Sequence, residues 1–182
     1  MNLFKHIVNF LWAKVAPISY ARKIGVTISD DCRLYSLHPG AFGSEPFLVS
    51  IGSGVIVTAG VRFITHDGST FLFRREFPKI DVMGPISIGD NTFIGMNSII
   101  LPGVEIGDNC VIGAMSVVTK SVPAGSVFAG NPAQYVTSIS EFKRRLIERS
   151  CETGGLEADQ KERELLRKSF KYDGKGRKWL TP

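Results

Sequence analysis

Isoleucine or valine recurs at every sixth position through the middle of the chain. From Ile88 the series continues through Ile94, Ile100, Ile106, Ile112, Val118 and Ala124, so six of seven positions are Ile or Val. The next position in each unit reads Gly89, Gly95, Leu101, Gly107, Gly113, Thr119 and Gly125. Four beyond each start stand Thr92, Ser98, Val104, Cys110, Ser116, Val122 and Phe128, mostly small or β-branched. A helix would space its apolar residues at i, i+3, i+4 and i+7, and would lose up to about 1 kcal/mol at each interior glycine. A six-residue unit suits a short strand followed by a tight turn. The branched residue points inward, and Gly or the recurring Asp90-Asn91 and Asp108-Asn109 takes the turn, where positive φ is wanted. Such units stack backbone to backbone, which predicts a parallel β-helix rather than an antiparallel barrel with glycine-rich turns.

A shorter register lies upstream, with Ile51-Gly52, Val57 and Phe63, and a fragment begins at Ile24-Gly25. The step from Ile51 to Ile88 is one position more than six units, so the two registers are out of phase. The stretch from Thr65 to Pro85 has no such pattern and is read as an inserted loop. At the N-terminus, Leu3, Phe4, Ile7, Val8, Leu11 and Val15 follow helical spacing, flanked by Lys5 and Lys14. Residues 139–146 and 157–170 read as two helices with a Gly154-Gly155 break, and 171–178 as a basic tail. The predicted organisation is an N-terminal amphipathic helix and cap over 1–23, the β-helix over 24–137 with its loop at about 65–85, and a helical extension with a basic tail over 138–182.

Charge sharpens this. The chain of 182 residues is +5 overall, but residues 1–23 hold +4, 24–138 hold −3 and 139–182 hold +4. The basic character therefore sits at the ends, without the interleaved aromatics of a nucleic-acid face. Three cysteines in no close pair make no disulfide framework. No apolar run reaches the roughly 20 residues of a membrane span, and Lys14 interrupts the apolar N-terminal stretch, with no small-residue cleavage site after it. These features predict a cytoplasmic protein. The N-terminal helix has two readings: it caps the first coil, or it lies on the inner face of the membrane through its apolar side, Trp12 and its lysines.

Residues 88–98, Ile-Gly-Asp-Asn-Thr-Phe-Ile-Gly-Met-Asn-Ser, and 106–120, Ile-Gly-Asp-Asn-Cys-Val-Ile-Gly-Ala-Met-Ser-Val-Val-Thr-Lys, resemble the hexapeptide-repeat acyltransferase family. So does Phe128-Ala129-Gly130-Asn131-Pro132-Ala133 where the domain closes, and residues 42–67 resemble the bacterial sugar O-acetyltransferases of surface-polysaccharide synthesis. The resemblance covers about 42–137. It implies a mainly β fold, a left-handed parallel β-helix, assembled as a homotrimer with acetyl-CoA, the acyl-donor co-substrate, between subunits.

Of the three histidines, His6, His38 and His66, only His66 lies within the repeats, where the first block ends and the loop begins. A side chain leaving a rigid coil into a loop is placed to meet a ligand, and an imidazole, with an ordinary pKa of about 6.5, suits proton abstraction at neutral pH. The resemblance implies that it is the general base, taking the proton of an acceptor hydroxyl. Its other nitrogen needs an acceptor: a backbone carbonyl, Glu45 or Asp67. Glu45 is equally a candidate for binding sugar hydroxyls, and Asp67 for capping a turn before Gly68. Lys120 is the sole Lys or Arg between residues 80 and 138, a cation where a CoA phosphate would want one. The family pattern adds Gly95, Ala114 and Thr119 along the CoA groove. Phe93 and Met96 depart from that pattern, where relatives can carry Trp and a small polar residue. Oxyanion donors are expected among backbone amides of the coils, such as those near Gly95. One histidine in the repeats makes no zinc cluster, and no Gly-x-Ser-x-Gly elbow occurs.

The reading is an acetyl-CoA-dependent O-acetyltransferase acting on a sugar or glycan-precursor hydroxyl. N-acetylation of an amino sugar, amino acid or xenobiotic is the alternative, and a non-catalytic β-helix assembly module the rival of a different class.

Overall fold

The computed structural model describes residues 3–172 and 177–179. They form two compact units, Met1–Ile139 and Ser140–Pro182. The first begins with α1 (Leu3–Val15) and α2 (Pro17–Lys23). Gly25, at φ +112, ends α2: its amide and that of Val26 donate to the carbonyls of Arg22 and Ala21. The Ile24-Gly25 pair is thus a helix terminator of the glycine type, not the start of a repeat.

The coils follow. The first carries β1 (Thr27–Ile28) and β2 (Arg33–Leu34). The second carries β3 (Val49–Ile51), β4 (Ile56–Val57) and β5 (Arg62–Phe63). The third carries β6 (Ile86–Ile88), β7 (Phe93–Ile94) and β8 (Ile99–Ile100), and the fourth β9 (Glu105–Ile106), β10 (Val111–Ile112) and β11 (Val117–Val118). Parallel pairing stacks them into three faces: β1-β3-β6-β9, β2-β4-β7-β10 and β5-β8-β11. These are called faces A, B and C below. The fold is a left-handed parallel β-helix. Each regular coil takes three hexapeptide units, one per face, so that Ile88 pairs with Ile106. Ile51, Val57, Phe63, Ile88, Ile94, Ile100, Ile106, Ile112 and Val118 all point into the core and are buried.

Three irregularities break the regular coils. Arg33 pairs with Ile56 rather than with Ile51, so the first coil is longer than a regular one, and its third side, residues 35–48, carries no strand, only loop and a 3₁₀ turn at Pro46–Leu48. Arg62 pairs with Ile99, where an uninterrupted coil would bring Ile80 beside it, so the inserted loop more than doubles the length of that coil. At the far end Val122, not Ala124, aligns with Ile106. The last unit is cut short, which leaves Ala124 exposed. The coil is then closed by β12 (Ser126–Ala129) and the antiparallel β13 (Gln134–Ser138).

The turns bear out Asp90-Asn91 and Asp108-Asn109, but not the glycines Gly89, Gly95, Gly107 and Gly113. Left-handed backbone falls on the fourth residue of the unit, at Asn91, Asn97, Gly103, Asn109 and Met115. The glycines at the second position are needed instead for close approach between coils. A Cβ on Gly95 would stand 2.5 Å from the Ala114 nitrogen.

In the second unit, α3 (Ile139–Glu148) and α4 (Ala158–Ser169) are laced by arginine–carboxylate pairs, among them Arg145–Glu141 at 2.8 Å and Arg163–Asp159 at 2.9 Å. β14 (Phe170–Tyr172) pairs antiparallel with β15 (Arg177–Trp179), and the part of the basic tail between them lies outside the described residues.

Candidate active site

The inserted loop leaves the prism after β5 and returns into β6. Its root is fastened by antiparallel hydrogen bonds: Asp67 N–H donates to Val82 O at 2.9 Å and Gly84 N–H to Thr65 O at 2.9 Å. His66 stands between them, bridged to Met83, at the corner where face C turns into face A. The lengthened third side of the first coil runs alongside, bringing Ser44 and Glu45 over the same corner.

The Glu45 carboxylate meets two donors. Thr65 Oγ1–H donates to Oε2 at 2.8 Å, and His66 Nδ1 lies 3.0 Å from the same oxygen. An ionised carboxylate accepts only, so this bond places the ring proton on Nδ1 and leaves Nε2 of the neutral imidazole with a free lone pair. Ser44 Oγ stands 3.2 Å from Nδ1. The hydrogen bond from Thr65 holds the Glu45 carboxyl below its ordinary range, with smaller help from His66 and Ser44 and with burial opposing. The Glu45 side chain is 17% exposed and His66 36%, so the pair is fixed yet open to a ligand. Ser44 and Thr65 carry no motif of their own. What singles them out is the lengthened first coil, visible only once β2 is paired with β4.

Asp67 is held by the following turn rather than by a hydrogen bond to His66. Its Oδ1 accepts from Ser69 N–H at 2.9 Å, capping the 3₁₀ turn Gly68–Phe73, and its pKa is lowered first by the Ser69 hydroxyl and then by that amide. Gly95 and Ala114 lie together at the corner between faces B and C. Thr119 and Lys120 lie at the corner between C and A, two coils on from His66, and both are exposed. Within one chain the expected groove residues therefore flank face C on opposite sides. The Gly95 amide donates to Ile112 O at 2.8 Å, so it belongs to the coil ladder and is not a spare oxyanion donor. Among the described residues no group of three or more His, Cys, Asp or Glu is arranged to hold a metal.

Residues 85–120 match the family model "Bacterial transferase hexapeptide (six repeats)". Protein CapG of Staphylococcus aureus is 50% identical over 147 residues, covering 81% of this chain and 86% of CapG. The chain belongs to the hexapeptide-repeat acyltransferase family. A putative acetyltransferase, YvoF of Bacillus subtilis, is 34% identical over 56% of this hexapeptide-repeat chain and 54% of its own. The crystal structure of the polySia-specific acetyltransferase NeuO superimposes with a TM-score of 0.50 at 26% identity, covering 62% of this chain and 51% of NeuO. The chain thus spans about half the length of YvoF and NeuO, and most of CapG.

Proposed function

We propose that this member of the family transfers the acetyl group of acetyl-CoA to a hydroxyl of a sugar or glycan precursor, with His66 as general base. The observation that carries the reading is the Thr65–Glu45–His66 cluster, which leaves Nε2 basic at the mouth of a rigid coil. Nε2 takes the acceptor's hydroxyl proton as the hydroxyl oxygen attacks the thioester carbonyl. The Glu45 carboxylate stabilises the imidazolium that forms. When the tetrahedral intermediate collapses, the C–S bond breaks and the departing thiolate receives the proton from Nε2. The likeness to NeuO supports a carbohydrate acceptor.

Acetyl-CoA would be held by what flanks face C: Lys120, exposed on an acidic segment, for a phosphate, with Gly95, Ala114 and Thr119 offering small surfaces to an extended chain. A homotrimer accounts for both flanks serving one site. The face B–C edge supports it, since Phe93 and Met96 are exposed there and Ile99, Val111 and Val117 partly so. Asp67 is assigned to the acceptor side of the loop root, next to His66.

His66→Ala tests the mechanism. Acetyl transfer, followed by thiol release, falls at least about a hundredfold, while CoA affinity stays unchanged. Undiminished turnover would remove His66 as the base. A panel of sugars and amines identifies the acceptor; turnover with amines alone overturns O-acetylation, and no turnover with any acceptor favours an assembly role.

A further inference from the structure

The N-terminal helix turns only part of its apolar surface to the prism. Ala13 is fully buried, and Trp12 packs edge-on against Tyr20 with ring centroids 5.9 Å apart. That side, with Tyr20 and Ala21 of α2, closes the first coil. On the opposite side Ile7, Leu11 and Val15 succeed each other at four-residue spacing, 51%, 55% and 83% exposed, with Val8 and Phe10 beside them. A helix lying on a water-facing surface carries polar residues there, and a contiguous apolar patch marks an interface. The patch continues into a cleft of about 930 Å³ lined by Ile7, Phe10, Leu11, His38, Gly43 and Ser44.

Charge selects the occupant. Residues 1–23 contain Lys5, Lys14, Arg22 and Lys23 and no acid. Arg22 pairs with Asp30. Among the described residues Lys14 and Lys23 are exposed and in no ion pair. The Lys14 ammonium lies 4.6 Å from the centre of the Phe10 ring, at the rim of the apolar patch. A lysine there extends its stem over apolar surface and keeps its charge at the boundary with water. An apolar helix face with an unopposed cation at its rim, on a segment that contains no acid, fits an anionic lipid interface, with apolar side chains among the acyl chains and the ammonium group at the phosphates.

We propose that α1 docks this protein on an anionic membrane surface through Ile7, Leu11 and Val15, with Lys14 and Lys23 at the headgroups. The helix lies on the bilayer: among the described residues no helix is long and apolar enough to cross it. Docking lays the cleft along the lipid, with its Ser44 end beside His66. The proposal goes beyond the acetyl-transfer reading and stands whether or not that reading does.

Flotation of the full-length chain with phosphatidylglycerol–phosphatidylcholine vesicles tests it. The chain floats with these vesicles at low salt, and stays behind with pure phosphatidylcholine or at high salt. Lys14→Gln weakens partitioning about fivefold, the loss of one surface cation. Leu11→Asp and Val15→Asp each weaken it more than tenfold, with unchanged circular dichroism. Absence of binding to the anionic vesicles overturns the proposal, and so does equal binding by the aspartate variants. A fall in particle mass by light scattering in those variants, with vesicle binding intact, assigns the face to contacts between copies and also overturns it.

Discussion

The carboxylate of Glu45 accepts from Thr65 and from His66, and these bonds keep it ionised below its ordinary value of 4.5. A group whose folded pKa is depressed adds stability above its unfolded pKa and loses it as pH falls through the folded one. The unfolding midpoint of the wild type should therefore exceed that of Glu45→Leu by a constant margin near neutrality, and that margin should shrink below about pH 4.5. A margin independent of pH would mean the carboxylate is not held by these donors. In the proposed mechanism Glu45 is a positioning residue. Glu45→Gln keeps an acceptor for Nδ1–H but loses the charge opposite the imidazolium, so kcat should fall by about tenfold or more with KM for acetyl-CoA little changed. A change confined to the acceptor's KM would instead make Glu45 a sugar ligand. Gly95 poses a different question, because its missing side chain serves the coil. A Cβ would sit 2.5 Å from the Ala114 nitrogen and 2.7 Å from the Ile112 carbonyl oxygen, both backbone. Gly95→Ala should destabilise by about 1–3 kcal/mol, seen as a drop of several degrees in the unfolding midpoint. Full stability with weakened CoA binding would make the glycine a cofactor contact only.

At the scale of the coil, the repeated corner determines which residues fit. Asn91, Asn97 and Asn109 have φ of +53, +57 and +54, a region that costs most L residues about 1–2 kcal/mol and asparagine less. Asn109→Ala should cost about 1 kcal/mol in chemical denaturation, whereas Asn109→Gly should cost distinctly less; equal costs would refute selection by backbone conformation. The corner explains how much was legible in advance. Ile or Val at every sixth position is visible because each face buries one side chain in the same place, directly above its predecessor in the coil before, as Ile106 stands on Ile88. The N-terminal helix was legible from apolar spacing, and the C-terminal pair from the Gly154-Gly155 break between them. The role of the glycines was not, since close approach between coils and positive φ leave the same letter in the sequence. The shortened unit that aligns Val122 with Ile106 was hidden because Ala124 is apolar enough to continue the count. His66 stood out as the one histidine in the repeats. Its partner was legible only as one of three candidates, because Glu45 reaches it through the extra length of a coil that has no third strand.

For the molecule as a whole, the decisive distance is across face C. His66, Thr119 and Lys120 stand at its corner with face A, while Gly95 and Ala114 stand at its corner with face B. One side of the prism is about six residues, roughly 20 Å at about 3.3 Å per residue. A reacting hydroxyl at Nε2 needs its thioester within van der Waals reach, so a donor lying against Ala114 of the same chain would be too far from His66. The proposed cyclic association would bring the face B–C edge of one copy to the face C–A corner of the next, and would also cover the exposed Phe93 and Met96. Complementation tests this geometry. His66→Ala and Ala114→Trp should each abolish transfer alone, the second by blocking the groove. In trimers assembled at random from equal amounts of both, an intact His66 meets an intact Ala114 of its neighbour at about a quarter of the sites. Activity should return to about that fraction of wild type, with the mass of a trimer by light scattering. A mixture that stays inactive while trimeric would place His66 and the groove on the same chain. The acetyl donor would then run along the face C–A corner past Lys120, with Ala114 playing no part.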